Sequence, residues 1–528
     1  MVINSIESRS SRLNSGSCKI LVSLAILVTC LFLVAASAPA SAQDSGSKPN
    51  ATGPKPTGTC GPPLYPCSRT DTSMIRANHP PQLGNNPSFY GGHTGAGKVA
   101  VDPAYGNAIL RVTDGTMLQG ESFNTGSSAE KNPWSYDETM FLAHNERGQL
   151  CLFQFDQNAF QSTFKGCFIG LGKGGGADFG YTQADSGVFY NYSYNKFYRF
   201  VVDKSNWTVA ADPAFNKGKG SFDPDGPECL DGQMAANKWV VGDHALSSDD
   251  NTEIAAIGPQ QDADVYFVVW NASKGCSWLN VATWQVSQGW NTGLKNPVDI
   301  DWLDGVEATQ PGGIHNAQID RSGAFGILAV HHTGLNRKMF WTIGTNRLDA
   351  TCHKCISHWA CDFGVCFWDY QKKTSYDMQS QPIGSLLSEP DMDNMAALEQ
   401  WHADEHISHA NAERGAKNMY LAAWQTKHSA SVNQVWEGEI TGISWDGSQR
   451  TVRFNKHWNS GFGGFWGSAR CGISHLGHYA LCASDYEMNN LDKGFGNGRN
   501  QDHCDHTLNA ARKDTNSCRT DLLVFQLN

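Results

Sequence analysis

The sequence is poor in charge. Asp, Glu, Lys and Arg together make up 17% of the 528 residues, below the roughly 25% that is usual, which excludes a highly charged disordered chain. The net charge is −11 and no long Lys/Arg run occurs, so neither nucleic acid nor an anionic membrane is expected to bind a basic surface. A Gly-x-Ser-x-Gly elbow and a Gly-Lys-Ser/Thr phosphate loop are also missing.

Long apolar runs are equally scarce. One run, Ile20–Ala36, follows basic residues and precedes the small residues Ala40-Ser41-Ala42. This order is typical of a cleaved signal peptide, here residues 1–42. A retained membrane anchor is the alternative, but the run is short for a span of about 20 residues. The sequence therefore predicts a secreted or periplasmic protein with no membrane attachment after cleavage.

The cysteine count fits an exported protein. Of the 16 cysteines, 14 follow the leader, and an even number in an oxidising compartment predicts structural disulfides. Cys60 and Cys67 are close enough in sequence to pair. The dense group Cys352, Cys355, Cys361 and Cys366 has a spacing that zinc could use, but export favours disulfides there as well.

The composition predicts many short strands. Gly accounts for 54 residues and aromatic residues for 11%, a combination typical of strands joined by tight turns. Residues 43–95 are interpreted as a disordered linker, Gln43–Thr59, and a Cys-containing N-terminal segment that follows it. Residues 96–528 show a weak repeat, with copies that start near residues 132, 180, 244, 315, 406 and 470. The first copy is predicted to begin with a strand at Asn132–Glu138, and the second to include a strand at Lys196–Asp203.

This repeat predicts an all-β fold, a β-propeller of six four-stranded blades. The last copy lacks an outer strand, and the strand predicted at Ala108–Asp114 would supply it and close the ring. Seven blades remain an alternative, because residues 207–241 have room for further strands. A pair of β-sandwiches is the other architecture with short strands at this spacing.

Three histidines occupy the same phase of successive copies. His244, His315 and His406 each lie near the start of a predicted innermost strand, and Arg470 continues the series. In the first two copies Trp134 and Asp178 lie two residues from this phase. Since innermost strands line a propeller's channel, the six side chains are predicted to converge at one mouth.

The same strands suggest a metal site. His315 and Gln318 share their three-residue offset with His406 and His409. Residues three apart on a strand face opposite sides, so a bulge or turn is needed to bring both inward. With that, the four side chains would surround a divalent metal, for which Mn, Zn and Ca are the candidates. Pairing of these groups with the backbone or with nearby Asp residues is the alternative.

Two of these stretches resemble a known enzyme family. Gly313–Asp320 (GIHNAQID) and Glu405–Asn411 (EHISHAN) resemble the His/Gln-bearing strands of oligogalacturonate lyases, and Ile109–Asp114 is similar to the opening strand of TolB-like propellers. The resemblance implies a propeller enzyme that uses a divalent metal and a His or similar base on uronic-acid substrates.

The resulting hypothesis is an exported polysaccharide lyase. His244 is the candidate base, and Arg470 would neutralise the substrate carboxylate. Trp134 and Asp178 are the candidate substrate-binding residues, and the partner is a polysaccharide or oligosaccharide bound by a monomer. A non-catalytic secreted propeller that binds glycans or proteins is the alternative.

Overall fold

The computed structural model divides the chain into two units, Met1–Ser47 and Lys48–Asn528. All residues that it describes belong to the second unit. They are 83, 95–102, 105–125, 131–168, 178–179, 187–193, 196–212, 240–246, 252–258, 266–271, 273–280, 285–286, 314–319, 325–332, 335–342, 365–369, 374–376, 382–384, 403–408, 420–425, 439–444, 451–457, 469–484 and 520–527. The predicted leader, the Cys60/Cys67 pair and all of the second cysteine group except Cys366 lie outside these ranges.

The described strands form six antiparallel sheets, here numbered along the chain. Sheet 1 contains β3 (Phe123–Asn124), β4 (Met140–Asn145), β5 (Leu150–Asp156) and β6 (Gln161–Phe168). Sheet 2 contains β7 (Asp178–Phe179), β8 (Val188–Ser193), β9 (Lys196–Asp203) and β10 (Thr208–Ala211). Sheet 3 contains β11 (Val240–Leu246), β12 (Thr252–Gly258), β13 (Tyr266–Asn271), β14 (Gly275–Asn280) and β15 (Gln285–Val286).

Sheet 4 contains β16 (Ile314–Ile319), β17 (Phe325–His332), β18 (Leu335–Thr342), β19 (Val365–Asp369), β20 (Thr374–Tyr376) and β21 (Pro382–Gly384). Sheet 5 contains β22 (Ala403–Ser408), β23 (Tyr420–Gln425), β24 (Glu439–Ser444) and β25 (Thr451–Lys456). Sheet 6 contains β1 (Val99–Val101), β2 (Ala108–Arg111), β26 (Cys471–Ile473), β27 (Tyr479–Ser484) and β28 (Asp521–Gln526). A short 3₁₀ turn, Met117–Gly120, precedes β3. The predicted all-β class is confirmed, whereas blade number and ring closure stay predictions.

Sheet 6 combines strands from the beginning and the end of the described chain. Its order is β1-β2-β28-β27-β26, and the strand predicted at Ala108–Asp114 is present as β2, paired with β28. Arg111 on β2 donates to the carboxylate of Asp521 on β28 at 2.6 Å and to the Leu83 carbonyl at 3.1 Å. Leu83 lies in the predicted N-terminal segment and is buried, so this point of the segment is fixed to β2.

Alternate residues of the same strand pack against different neighbouring sheets, as the period of two requires. On β28, Leu522 and Val524 belong to a core with β4 and β5 of sheet 1, while Leu523 and Phe525 belong to a core with β24 and β25 of sheet 5. On β4, likewise, Phe141 and Ala143 pack against sheet 6, while Met140 and Leu142 pack against sheet 2. Both faces of these strands are therefore buried, which explains their nearly continuous apolar sequences.

The segment Asn132–Glu138, predicted as the innermost strand of the first copy, is not a strand. Trp134 forms one isolated bridge with Phe141, and Phe123–Asn124 pairs with the remainder of the same β4 edge. The reason lies in local polar chemistry. Pro133 has no N–H to donate to a ladder, and the Ser135 hydroxyl donates to Asp137 at 2.7 Å to form a turn.

Two disulfides cross-link neighbouring strands. Cys151–Cys167 joins β5 to β6, and Cys471–Cys482 joins β26 to β27. Within the described residues, no helix has the length and apolar character needed to cross a membrane.

The second disulfide gives a first prediction. Replacing Cys471 and Cys482 together with Ala should lower the free energy of unfolding by about 2–4 kcal/mol, because the unfolded chain is then no longer constrained. Urea denaturation of the double variant beside the Cys151/Cys167 double variant measures this. An unchanged midpoint for the Cys471/Cys482 variant would contradict it.

Candidate functional site

The predicted site residues lie on sheet edges. His244 is on β11, His315 and Gln318 are on β16, His406 is on β22 and Asp178 is on β7. Each of these strands is an edge strand and the first along the chain in its sheet. Arg470 immediately precedes β26, another edge strand. His409 follows β22 and lies outside the described residues, as do the side chains of the five residues placed on strands.

The ladder hydrogen bonding is irregular at or beside each of the three histidines. In β16 the register shifts between Ile314 and Asn316, so His315 is the additional residue. In β22 the shift lies between Ala403 and Ile407, a span that includes His406. In β11 it lies between Val241 and Asp243, just before His244. Such bulges change the direction in which a strand presents its side chains and are frequent next to active sites.

The histidine-bearing strands have neighbours that also carry predicted site residues. Strand β11 lies beside β16, and β22 lies beside β26. The second contact includes a hydrogen bond, in which the N–H of Ile473 donates to the Ser408 hydroxyl at 3.0 Å. His244 and His315 therefore lie on adjacent edge strands. His406 likewise lies on an edge strand next to β26, the strand that follows Arg470.

A metal site is not visible among the side chains that the structure describes. No group of three or more His, Cys, Asp and Glu side chains within them is arranged to hold an ion. The backbone of β16 does meet the requirement for a bulge at the predicted ligand His315. Imidazole and amide groups are suitable metal donors, so the residue types and the local backbone fit such a group.

Trp134 and Arg470 have environments that differ from those predicted. Trp134 is fully buried, its indole N–H donates to the Gly472 carbonyl at 3.3 Å, and its ring stacks on Tyr479. A Cβ at Gly472 would lie 2.6 Å from Pro133, so β26 approaches this segment closely. Trp134 thus has no exposed face for a sugar. Arg470 is also buried, and its carbonyl accepts from the Thr125 hydroxyl at 2.6 Å.

No protein-family model matches the chain, and no curated protein matches it. Among solved structures, oligogalacturonate lyase in complex with manganese matches at a TM-score of 0.37 and 11% identity, over 82% of this chain and 96% of the lyase chain. The chain weakly resembles this lyase. The β-propeller domain of Cps50 (Swd1) from Myceliophteria thermophila matches at 0.28 and 9% identity, over 79% and 96%. Chaetomium thermophilum Sqt1 bound to the N-terminus of ribosomal protein L10 matches at 0.26 and 9% identity, over 66% of each chain.

The contact between sheets 1 and 6 contains two hairpins of the same design, which the sequence did not reveal. In one, Ser135 exchanges hydrogen bonds with Met140, and in the other Ser474 does so with Tyr479. The fourth residue of each donates its N–H back to the serine carbonyl at 2.9 Å. That residue is Glu138 in the first hairpin, with φ 54°, and Gly477 in the second, with φ 78°.

The Glu138 carboxylate connects the two hairpins. One oxygen lies 2.7 Å from Nδ1 of His478, and the other accepts from the N–H of Leu476 at 3.3 Å. The Glu138 side chain is fully buried, whereas that of His478 is 26% exposed. Burial raises the pKa of Tyr479, and the nearby Glu138 carboxylate raises it further. The last sheet is thus held by a carboxyl side chain from the first.

The hairpin that contains Glu138 also contacts sheet 2. Asp137 accepts from the ammonium group of Lys204 at 2.7 Å and from the hydroxyls of Ser135 and Thr139. Burial alone would raise the pKa of Asp137, but these hydrogen bonds outweigh burial and lower it. Asp137 is therefore held as the anion.

Proposed function

We propose that the six sheets are the blades of one closed propeller. The packing order supports this, because sheet 6 shares cores with sheets 5 and 1, and sheet 1 shares a core with sheet 2. Strands β11 and β16 bring sheets 3 and 4 together as well. Chain order and spatial order therefore agree for these neighbouring sheets, and the core between sheets 5 and 6 also includes Val188 and Tyr190 of sheet 2. In this arrangement β2 completes the last blade and closes the ring.

We further propose that the protein is an exported, metal-assisted lyase acting on uronic-acid-containing glycans. The observation that carries the proposal is the interruption of the ladder at or beside histidines on three edge strands. A bulge at equivalent places of three sheets is costly to the ladder without a use for the side chains it redirects. The apolar leader and the disulfides support export to an oxidising compartment.

Each residue has a defined task in this proposal. His315, Gln318, His406 and His409 would hold a divalent metal, Mn, Zn or Ca, whose charge would make the proton at C5 of the uronate more acidic. His244 takes that proton. The electron pair of the broken C5–H bond forms the C4–C5 double bond, and the bond from C4 to the glycosidic oxygen breaks. The leaving oxygen then takes a proton from water.

Two further residues assist through charge and hydrogen bonding. Arg470 is buried beside the strand that carries His406, so its positive charge would attract a substrate carboxylate through the electric field at the site and not by direct contact. Asp178, on the edge strand of sheet 2, is retained as a hydrogen-bonding group for sugar hydroxyls. Trp134 is not retained, since its ring is buried in the core.

The test combines metal analysis with an assay for unsaturated uronide on polyuronates. Replacing His315 or His406 with Ala should remove the bound metal and reduce turnover by at least about 100-fold, since both ligation and charge neutralisation are lost. The free energy of unfolding, measured by thermal denaturation, should change by no more than about 0.5 kcal/mol, because edge-strand side chains of this kind add little packing.

His332, at the end of β17 in the same sheet as His315, provides the control. His332→Ala should keep both metal and turnover. Binding of uronic-acid oligosaccharides without any unsaturated product would support the alternative, a non-catalytic glycan-binding propeller. Purified protein with no metal and full activity would contradict the metal-assisted mechanism.

A further inference from the structure

We propose that Glu138 and His478 form a pH-sensitive latch between the first and last sheets, with Glu138 as a positioning residue for the hairpin that follows Arg470. The latch consists of these two side chains and the Leu476 N–H. Glu138 and His478 are 340 positions apart in the sequence. Their contact joins the turn before β4 to the turn between β26 and β27.

The backbone at Glu138 is the first argument. A positive φ is unfavourable for a residue with a side chain and costless for glycine. The matching position of the other hairpin is Gly477, with the same hydrogen bond to its serine. The first hairpin therefore has a glutamate at the position where the second hairpin has glycine, the residue that adopts a positive φ without strain. Strain of this kind persists where the side chain has a use.

The use follows from the contacts of that carboxylate. It is fully buried, and both of its oxygens receive donors from the last sheet's hairpin. A buried anion needs compensation by a cation or by several hydrogen bonds. His478 is partly exposed and can take up a proton from solvent, so it supplies a compensating charge that depends on pH.

The direction of the effect is set by the imidazole. While His478 is protonated and Glu138 is ionised, the contact is a charge pair and holds the two hairpins most firmly. As the pH rises and His478 loses its proton, a neutral Nδ1–H donor remains and the contact contributes less. The stability of the contact is therefore present on the acidic side of the histidine titration and declines above it.

Other titratable groups surround the latch. Asp137 is paired with Lys204 and faces sheet 2, and the buried His475 ring packs on Tyr136. An experiment must therefore distinguish the pH effect of His478 from the effects of its titratable neighbours, which are Asp137, Lys204, Tyr136, His475 and Tyr479.

Urea unfolding of the full chain at about pH 5.5 and about pH 8.5, on either side of the ordinary histidine value of about 6.5, tests the latch. Glu138→Gln keeps an acceptor for Leu476 and removes the charge. We expect wild type to exceed Glu138→Gln in its folded-to-unfolded ratio by about tenfold at the lower pH and by less than about threefold at the higher pH. His478→Gln should lose the same pH dependence.

Three further variants keep the test decisive. Lys204→Met removes the other charged contact of the hairpin and should leave the wild-type pH dependence intact. Glu138→Gly relieves the backbone strain, so it provides a folded reference without the carboxylate if Glu138→Gln fails to fold. If the Glu138 variants lost the same amount of stability relative to wild type at both pH values, the contact would act through packing alone, which would contradict the latch. Loss of the pH dependence in His475→Gln but not in His478→Gln would overturn the assignment.

Discussion

Deleting the chain through Asp114 is expected to abolish cooperative folding, whereas deleting it through Thr59 should leave the unfolding midpoint unchanged. The longer deletion removes β1 and β2, exposes the edge of β28 and leaves Asp521 without Arg111. An unpaired buried charge costs about 3–5 kcal/mol. Burial of Ile109 and Leu110 is lost too, at about 1.5–3 kcal/mol each.

These losses together are comparable with the entire stability of a domain, about 5–15 kcal/mol. Far-UV circular dichroism and urea titration of the two truncated chains measure the difference. Deletion through Thr59 is the matched control, because it removes only residues that precede the contacts at Leu83 and Gly95. Coincident, cooperative transitions for both truncated chains would contradict the closing role of β2.

The strands were the part of the fold most accessible from the sequence. Strand β9 was predicted with the bounds observed, Lys196–Asp203, because an apolar run ends there at a turn-forming residue. The Asp203 carboxylate accepts from the N–H of Ser205 at 2.9 Å, as a local turn requires. Signals of this kind depend on neighbouring residues only, so a single sequence contains them.

Contacts between distant segments were not accessible in the same way. Glu138 was placed at the end of a strand, yet it adopts a positive φ and pairs with His478. Nothing in the spacing of the two residues indicates the contact. The failure at Asn132–Glu138 has a different cause, since the turn hydrogen bonds of Ser135 and Asp137 compete with the ladder.

The sequence predicted which strands carry the candidate site residues, but it did not predict the irregular hydrogen bonding of those strands. The common phase of His244, His315 and His406 placed each on the first strand of a sheet. The register shifts beside them have no distinct sequence signature, because any residue type can occupy a bulge. Burial of Trp134 was missed for a related reason: the close approach of Gly472 to Pro133 is a property of packing between sheets.

The second large effect concerns the ion pair within sheet 5. Arg453→Met should lower the free energy of unfolding by about 3–5 kcal/mol, because it leaves a buried carboxylate without its partner. Arg453 donates through Nε and one Nη to the two oxygens of Glu439, each at 2.6 Å, and both side chains are 1% exposed. Tyr105, from the turn between β1 and β2, lies nearby, and burial and the Glu439 carboxylate raise its pKa.

A second substitution distinguishes loss of the pair from loss of packing. Replacing Arg453 with Met and Glu439 with Leu together removes both charges, so the double variant should recover at least about half of the deficit. Lys204→Met, which breaks the exposed pair with Asp137, should cost no more than about 1 kcal/mol. Urea midpoints of the four proteins at one pH are sufficient. A double variant less stable than Arg453→Met alone would show that the pair is held by its fit with Tyr105 and the adjoining strands rather than by compensation of charge.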